Sequence, residues 1–105
     1  MAKVILSRLA QSDEVDIARD LTRKAGYRVA AQYAARFERL YDRLGRFPES
    51  GAPRPKIGTR VRIGVVKPFT VPHRYDPATD TVIILRIVHG RRRLTGAMLF
   101  SSNEA

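Results

Sequence analysis

The sequence predicts an α+β fold with the order β-α-α-β-β-β, in which an N-terminal helix hairpin packs on one face of a small, mostly antiparallel sheet. Three observations indicate this. Apolar residues recur at three-and-four spacing through the first half of the chain, as they do in helices. After a Pro- and Gly-rich segment at residues 48–58, the pattern becomes the alternation of a half-buried strand. Residues 81–89 are apolar on both faces, which is typical of a strand in the middle of a sheet.

A short strand and a helix open the chain. The apolar run at residues 3–7 ends in Ser7, whose hydroxyl suits the N-cap of a helix. The first helix is predicted over residues 8–25, which contain no Pro or Gly. Gly26 ends it, since glycine readily takes the backbone conformation that follows a helix.

The second helix begins near Tyr27, directly after the first, so that the two form a hairpin. Gly45 and Pro48 are expected to stop it. Its apolar side chains return to one face over four turns: Val29, Tyr33, Phe37, Leu40, Tyr41 and Leu44.

The second half of the chain is predicted to be strands. Residues 48–58, with three Pro and two Gly, are predicted to be a loop. Strands follow at residues 59–66 and 67–76. A turn at residues 77–80 then leads into the central strand at residues 81–89.

Two expectations concern how these elements pack. Pro72 cannot donate a hydrogen bond to a sheet, so a bulge or broken pairing is expected there, which leaves the placement of His73 and Arg74 open. Two helices can cover one face of the sheet only, so the opposite face is expected to be open to a partner. Phe37, Leu40 and Leu44 are expected to pack either near Ile84 and Val88 or near Leu85 and Ile87.

Composition restricts the possible functions. The 105 residues are expected to form one domain, 1–105, and carry 20 Lys and Arg against 10 Asp and Glu, a net charge of +10 that favours an anionic partner. There is no Cys, which excludes disulfides and thiolate chemistry, and two His are too few for a metal site without carboxylates. We therefore expect no metal and no cofactor. The apolar run near the N-terminus is too short to span a membrane, so a cytoplasmic protein without membrane contact is expected.

Several sequence segments, taken in their order along the chain, resemble the RelE/ParE superfamily of bacterial toxins from type II toxin–antitoxin pairs. They are "RFPESGAPRP", "GTRVR", "HRYD" and above all "VIILRIVHGRRRL", whose "HGRR" piece is most similar to the ParE branch. The resemblance implies a toxin that is neutralised by a co-expressed acidic, ParD-like antitoxin in a hetero-oligomer, and that meets operator DNA only through this antitoxin. For the ParE branch the implied target is DNA gyrase, and for the RelE branch it is messenger RNA on the ribosome.

The chemistry of RNA cleavage distinguishes the two branches. Attack by a 2′-hydroxyl needs a base, an acid and cations for the phosphate. RelE-like ribonucleases usually place a Tyr or a His–Tyr pair in the C-terminal segment, but residues 90–105 contain neither. A ribonuclease would have to use His89, Arg86 and Arg74. The sequence therefore favours a toxin without its own catalytic site, and an inactive basic binding module of the same fold stays as a third hypothesis.

The residues expected to bind a partner are seven arginines: Arg60, Arg62, Arg74, Arg86, Arg91, Arg92 and Arg93. Arg86 lies within the apolar central strand, so it must either pair with a carboxylate, with Asp76 and Asp80 near it in sequence, or project toward a ligand. His89 is either a hydrogen-bonded residue at the edge of the core or an acid–base group. The run Arg91 to Arg93 is expected to be extended. Two of its side chains would then face the partner, and one would face away.

Overall fold

The computed structural model of the protein describes residues 1–100, so that residues 101–105 of the predicted domain lie outside it. The elements are β1 (Lys3–Leu6), α1 (Arg8–Ala25), α2 (Tyr27–Arg46), β2 (Ala52–Pro53), β3 (Val61–Val66), β4 (Phe69–Asp76), β5 (Thr81–Ile84), β6 (Val88–His89) and α3 (Gly96–Leu99). The strands form one sheet in the order β1-β5-β4-β3-β2, with β6 paired to β4. Among the strands of residues 1–100, only β1 and β5 run parallel. The predicted α+β fold with a helix hairpin on a mostly antiparallel sheet is confirmed.

The first helix has the predicted bounds and the predicted cap. The Ser7 hydroxyl accepts a hydrogen bond from the Ala10 N–H at 3.1 Å, as an N-cap should. The same hydroxyl donates to the Leu85 carbonyl at 2.8 Å, which ties the start of α1 to the sheet. Gly26 ends the helix with a φ of 91°, a conformation that favours glycine.

Gly45 does not stop the second helix, contrary to expectation, because α2 continues to Arg46. The reason for a glycine here is close packing. A Cβ at this position would lie 3.2 Å from the Met1 Cε and 3.3 Å from the Ala2 carbonyl oxygen. The Gly45 carbonyl accepts the Ala2 N–H at 2.7 Å, so the end of α2 holds the N-terminal segment against it.

The predicted loop at 48–58 contains one short paired segment. β2, two residues long, pairs antiparallel with β3, so that Ala52 faces Ile63. The prediction of a loop throughout was therefore wrong at this point. Prolines are tolerated there because β2 is the last strand at one edge of the sheet.

The irregularity expected at Pro72 is present on one side of β4 only. Toward β3 the pairing is continuous, with Pro72 opposite Ile63. Toward the other side the pairing is broken: the Leu85 and Arg86 N–H groups both approach the Pro72 carbonyl, at 2.9 and 3.5 Å. Three residues, 85–87, face two on β4. This is a bulge, and it lies on the side where proline has no N–H to give.

The bulge corrects the prediction of one continuous strand at residues 81–89. The strand lies in the middle of the sheet, between β1 and β4, as predicted. However, it ends at Ile84 and resumes at Val88, and the bulge shifts the alternation of its side chains by one residue. Ile84 and Ile87 therefore both pack beneath the hairpin with Phe37, whereas Leu85 points to the opposite face. Neither expected pairing of residues on the covered face is correct.

The face opposite the hairpin is not open throughout, which also corrects the prediction. Leu99 of α3 is buried there with Val61 and Leu85, and Ile57 and Phe100 pack against them. The C-terminal segment therefore supplies a second, smaller apolar cluster. Away from it, Ile5 and Val65 remain 40% and 52% exposed.

Tyr41 joins the two helices of the hairpin. Its buried ring lies in the main core, and its hydroxyl donates to the Glu14 Oε2 at 2.7 Å. Burial first, and then this hydrogen bond, raise the pKa of Tyr41 far above its usual range. A raised pKa stabilises the folded state fully below about pH 10, where tyrosine in an unfolded chain begins to ionise, and the stabilisation is lost as the pH rises further.

We expect Tyr41→Phe to flatten the fall of stability above about pH 10, because the buried hydroxyl that must ionise on unfolding is gone. Denaturant unfolding between pH 8 and 11 measures this slope. The tyrosinate absorbance that appears on unfolding at alkaline pH should be smaller for the variant than for the wild type, because Tyr41 no longer contributes to it. An equally steep fall for the variant would show that Tyr41 is not its source.

Candidate partner-binding surface

Arg86 pairs within the chain, and its partner is Asp13 of α1, not Asp76 or Asp80. The guanidinium donates from Nε to the Asp13 Oδ2 at 2.7 Å and from Nη2 to the Oδ1 at 3.0 Å. Its Nη1 donates to the Met98 carbonyl at 2.8 Å. The hydrogen bond to Asp13 raises the pKa of Arg86, so the side chain stays charged. With each side chain of the pair about 15% exposed, Arg86 acts as an internal link between the helix, the bulge and the C-terminal segment.

Asp13 also holds the bulge itself, since its Oδ2 accepts the Ile87 N–H at 2.9 Å. The carboxylate thus satisfies a backbone group that the broken pairing leaves without a strand partner.

Asp13→Asn should destabilise the fold by about 2–3 kcal/mol, somewhat below the loss of a fully buried pair because some water reaches this one. Thermal unfolding measures the loss. Asp16→Asn, at an exposed ion pair with Arg19, is the matched control and should change little. Equal effects of the two would contradict the assigned role.

Arg91 to Arg93 lie in an exposed turn after β6, which we call the arginine turn (residues 90–93). The Arg92 N–H donates to the His89 carbonyl at 2.9 Å, so the segment turns and is not the extended chain that was expected. Gly90 allows this because its N–H donates to the Pro68 carbonyl at 2.7 Å, and a Cβ would lie only 2.9 Å from that oxygen. The three arginine side chains of this turn are exposed and lie outside the sheet.

His89 lies at the exposed end of β6 beside this turn. Its ring meets Phe69 edge to face, with the ring centroids 5.9 Å apart. Its Nδ1 accepts the Arg91 N–H at 3.2 Å. These contacts agree with the hypothesis of a hydrogen-bonded histidine at the edge of the core, and they help to fix the turn.

Arg60 and Arg62 lie elsewhere, at the start of β3. They line a cleft of about 300 Å³ together with Glu49 and Tyr75. Arg62 donates to the Gly51 carbonyl at 2.9 Å.

His73 and Arg74 are neighbours on β4 with opposite environments. His73 is fully buried, with its ring nitrogens 2.9 Å from the Val71 carbonyl and 3.1 Å from the Ser50 carbonyl. Arg74 is on the opposite face, where its guanidinium lies 5.0 Å from the centre of the Phe100 ring. Such a contact between a cation and an aromatic face is attractive.

The three residues proposed for a ribonuclease do not converge. His89 pairs with Phe69 on β4, and Arg74 follows five positions further along the same strand. Five positions place it about 17 Å away, and on the other face of the sheet. Arg86 is occupied by Asp13. The structure therefore brings together Arg91, Arg92 and Arg93 but not the suggested catalytic set.

Two cations that sequence reasoning missed lie close to the arginine turn. Arg54 and Lys56 line the same groove as Arg92 and Arg93. They belong to the segment interpreted only as a loop. No local pattern signals their role, because their proximity to residues 92 and 93 arises from tertiary packing.

The hairpin carries an apolar surface of its own. A groove of about 150 Å³ runs between the two helices, which we call the hairpin groove. Tyr33, Leu21 and Ile17 contribute partly exposed apolar surface to it, and Phe37 forms its floor. Glu14 and Glu38 also line it.

The helices were also compared with the requirements of a membrane span. Within residues 1–100, no helix is long and apolar enough to cross a membrane.

The fold matches that of solved toxin–antitoxin components. One is from the chromosomal ParDE system of P. aeruginosa, with a TM-score of 0.71, 24% identity, and coverage of 85% of this chain and 96% of the other. Another is from the RelBE2 toxin–antitoxin complex of Mycobacterium tuberculosis, with a TM-score of 0.59, 24% identity, and coverage of 84% and 96%. The architecture is thus that of the small RelE/ParE toxins.

Sequence comparison then identifies the branch. Residues 4–94 match the family model described as the ParE toxin of the type II toxin–antitoxin system parDE. The chain is also 33% identical over 98 residues to Toxin ParE3 of Caulobacter vibrioides, covering 93% of this chain and 96% of that protein. The protein belongs to the ParE family of type II toxin–antitoxin toxins. This confirms the resemblance to the ParE branch.

Proposed function

We propose that this toxin, a single domain acting in the cytoplasm, arrests growth by binding DNA gyrase through the arginine turn, and that it has no catalytic site of its own. The observation that carries the proposal is the arginine turn, three adjacent exposed arginines fixed by the contacts of Gly90 and His89. Planar guanidinium groups pair well with carboxylates and phosphates on a large anionic partner. No metal or cofactor enters the proposed action.

Binding is favoured over RNA cleavage by the geometry of the candidate catalytic residues. A general base and the cations that stabilise a cleaved phosphate must meet within a few ångströms. Here the histidine and Arg74 lie on different faces of the sheet, and Arg86 is occupied by a carboxylate. The RelE-like ribonuclease remains the second candidate function only because residues of these types are present.

We also propose that an acidic, ParD-like antitoxin neutralises the toxin by laying a tail along the hairpin groove, in a hetero-oligomer. The groove offers aromatic and aliphatic surface of the kind that provides most of the affinity at protein interfaces. The net charge of +10 favours carboxylates elsewhere in the tail, which set register and association rate.

Because apolar contacts are expected to dominate, the purified toxin–antitoxin pair should stay associated at about 1 M salt, where the Debye length is only ~3 Å. Size-exclusion chromatography at low and high salt measures this. Dissociation of the pair at high salt would contradict the apolar part of the proposal and would leave an interface held by charge alone.

The function itself is tested by inducing the toxin in bacteria with and without a co-expressed acidic antitoxin. We expect growth arrest that the antitoxin prevents, together with a change in the supercoiling of a reporter plasmid and intact messenger RNA. Cleaved messenger RNA with unchanged plasmid supercoiling would support the ribonuclease. Growth without arrest would indicate an inactive binding module.

A further inference from the structure

A large cationic groove lies between the loop after β2 and the segment that follows β6. It encloses about 870 Å³, and we call it the cationic groove. Of the residues that the structure describes, four cations line it, namely Arg54, Lys56, Arg92 and Arg93, and no carboxylate does. Thr70 and Thr95 add hydroxyl groups to the same surface.

Packing against the rest of the chain fixes both walls of the cationic groove. On one wall, the Arg54 N–H donates to the Val61 carbonyl at 2.8 Å. On the other, the Gly90 N–H donates to the Pro68 carbonyl at 2.7 Å. The walls touch at Gly96, where a Cβ would lie 2.9 Å from the Ile57 carbonyl oxygen. The groove is therefore formed in the folded chain before any ligand arrives.

The cations of the cationic groove form no ion pair within the part of the chain that the structure describes. Arg92 also lines a second pocket, in which the carboxylates of α1 are Asp13, Asp16 and Asp20. The ion pairs of residues 1–100 join Asp13 to Arg86, and Asp16 and Asp20 to cations of α1. All of them lie outside the cationic groove. Four cations that share one concave surface, without an ion pair among residues 1–100, reinforce each other's potential and attract a polyanion.

We propose that the cationic groove binds the phosphate backbone of duplex DNA directly, without regard to sequence. Phosphates are contacted in such complexes by Arg, Lys and Thr side chains, which are the polar side chains present here. Proteins that grip single-stranded nucleic acid add aromatic residues on which bases stack, and no aromatic residue of the described range 1–100 lines this groove. An acidic peptide would also seek aromatic anchors, which the hairpin groove offers instead.

This activity goes beyond the binding of gyrase and does not require it. It also differs from the expectation that DNA is met only through the antitoxin.

The test is fluorescence anisotropy of a labelled 20-base-pair duplex with the full chain, between 50 and 200 mM salt. A toxin that contacts three or four phosphates should give a slope of log affinity against log salt of about −2.7 to −3.6. The groove variant Arg54→Gln/Lys56→Gln/Arg92→Gln/Arg93→Gln should lose most of this slope and at least about tenfold in affinity at 100 mM salt. Circular dichroism checks that it folds.

A matched control removes the same four charges elsewhere. Arg28→Gln/Arg39→Gln/Arg43→Gln/Arg46→Gln changes exposed arginines of α2 and should keep the slope and most of the affinity. Equal losses in both variants would overturn the proposal, because net charge alone would then explain binding. So would absence of wild-type binding, or at least about tenfold tighter binding of single-stranded RNA or of a Glu-rich peptide of similar length.

The outcome for DNA is independent of the outcome for gyrase. DNA binding is measured without gyrase, and Arg54→Gln/Lys56→Gln leaves the arginine turn intact. If this double variant binds DNA more weakly but still inhibits gyrase, the two activities are separate. If the wild type binds DNA yet leaves gyrase unaffected, the proposed function fails while the DNA site stands.

Discussion

Phe37→Ala should destabilise the toxin by about 3–5 kcal/mol, which is comparable to the whole stability of a small domain. The Phe37 ring is 4% exposed and packs against Phe69, with the ring centroids 5.7 Å apart. It joins α2 to the sheet beneath the hairpin, so its loss leaves a cavity between the two layers. Since about 1 kcal/mol moves the melting temperature of a domain this size by roughly 4–8 °C, a fall of at least ~12 °C is expected.

Phe47→Ala is the matched control for this loss. It makes the same substitution just after α2, at a ring that is 63% exposed. Its melting temperature should therefore stay within a few degrees of the wild type. A Phe37→Ala protein that melts together with Phe47→Ala would show that the hairpin does not rest on this ring.

Arg91→Glu/Arg92→Glu/Arg93→Glu should abolish growth arrest. It replaces the proposed gyrase contact by three anions, and like charges facing an anionic partner cost several kcal/mol of binding free energy. The side chains are exposed, so the fold should survive. Induction of each variant in a growing culture measures the effect.

The control for charge is Arg28→Glu/Arg39→Glu/Arg43→Glu, which makes the same change on α2 and should still arrest growth. His89→Ala, if the proposal holds, also keeps most of its toxicity, because the histidine only braces the turn. Arrest that persists in the triple variant of the turn would remove the arginine turn from the mechanism.

Local chemistry explains how much of the fold the sequence could predict. The cap at Ser7, the stop at Gly26 and the three-and-four spacing act between near neighbours, and the helices they predict have the observed starts. Gly45 misled because its reason lies in Met1 and Ala2, which are distant in sequence. The irregularity at Pro72 was predictable from its missing N–H, but not which strand would carry the extra residue.

The candidate site was less predictable, because it depends on contacts across the sheet. Asp76 and Asp80 were considered for Arg86 because they are near it in sequence, but its partner is Asp13 on α1, which is distant in sequence. Arg54 and Lys56 were missed because their segment predicts only a loop. The run of three arginines was recognisable as a binding candidate, since a glycine followed by three arginines is a local pattern, but its conformation was expected to be extended.

The most direct test of the central claim is a supercoiling assay with purified gyrase, run beside a translating extract. We expect the wild type and His89→Ala to inhibit supercoiling at similar concentrations, the triple glutamate variant of the arginine turn to be inactive, and none of the three to cleave messenger RNA. Unaffected supercoiling, together with RNA cleavage that His89→Ala stops, would contradict the account and make this toxin a ribonuclease.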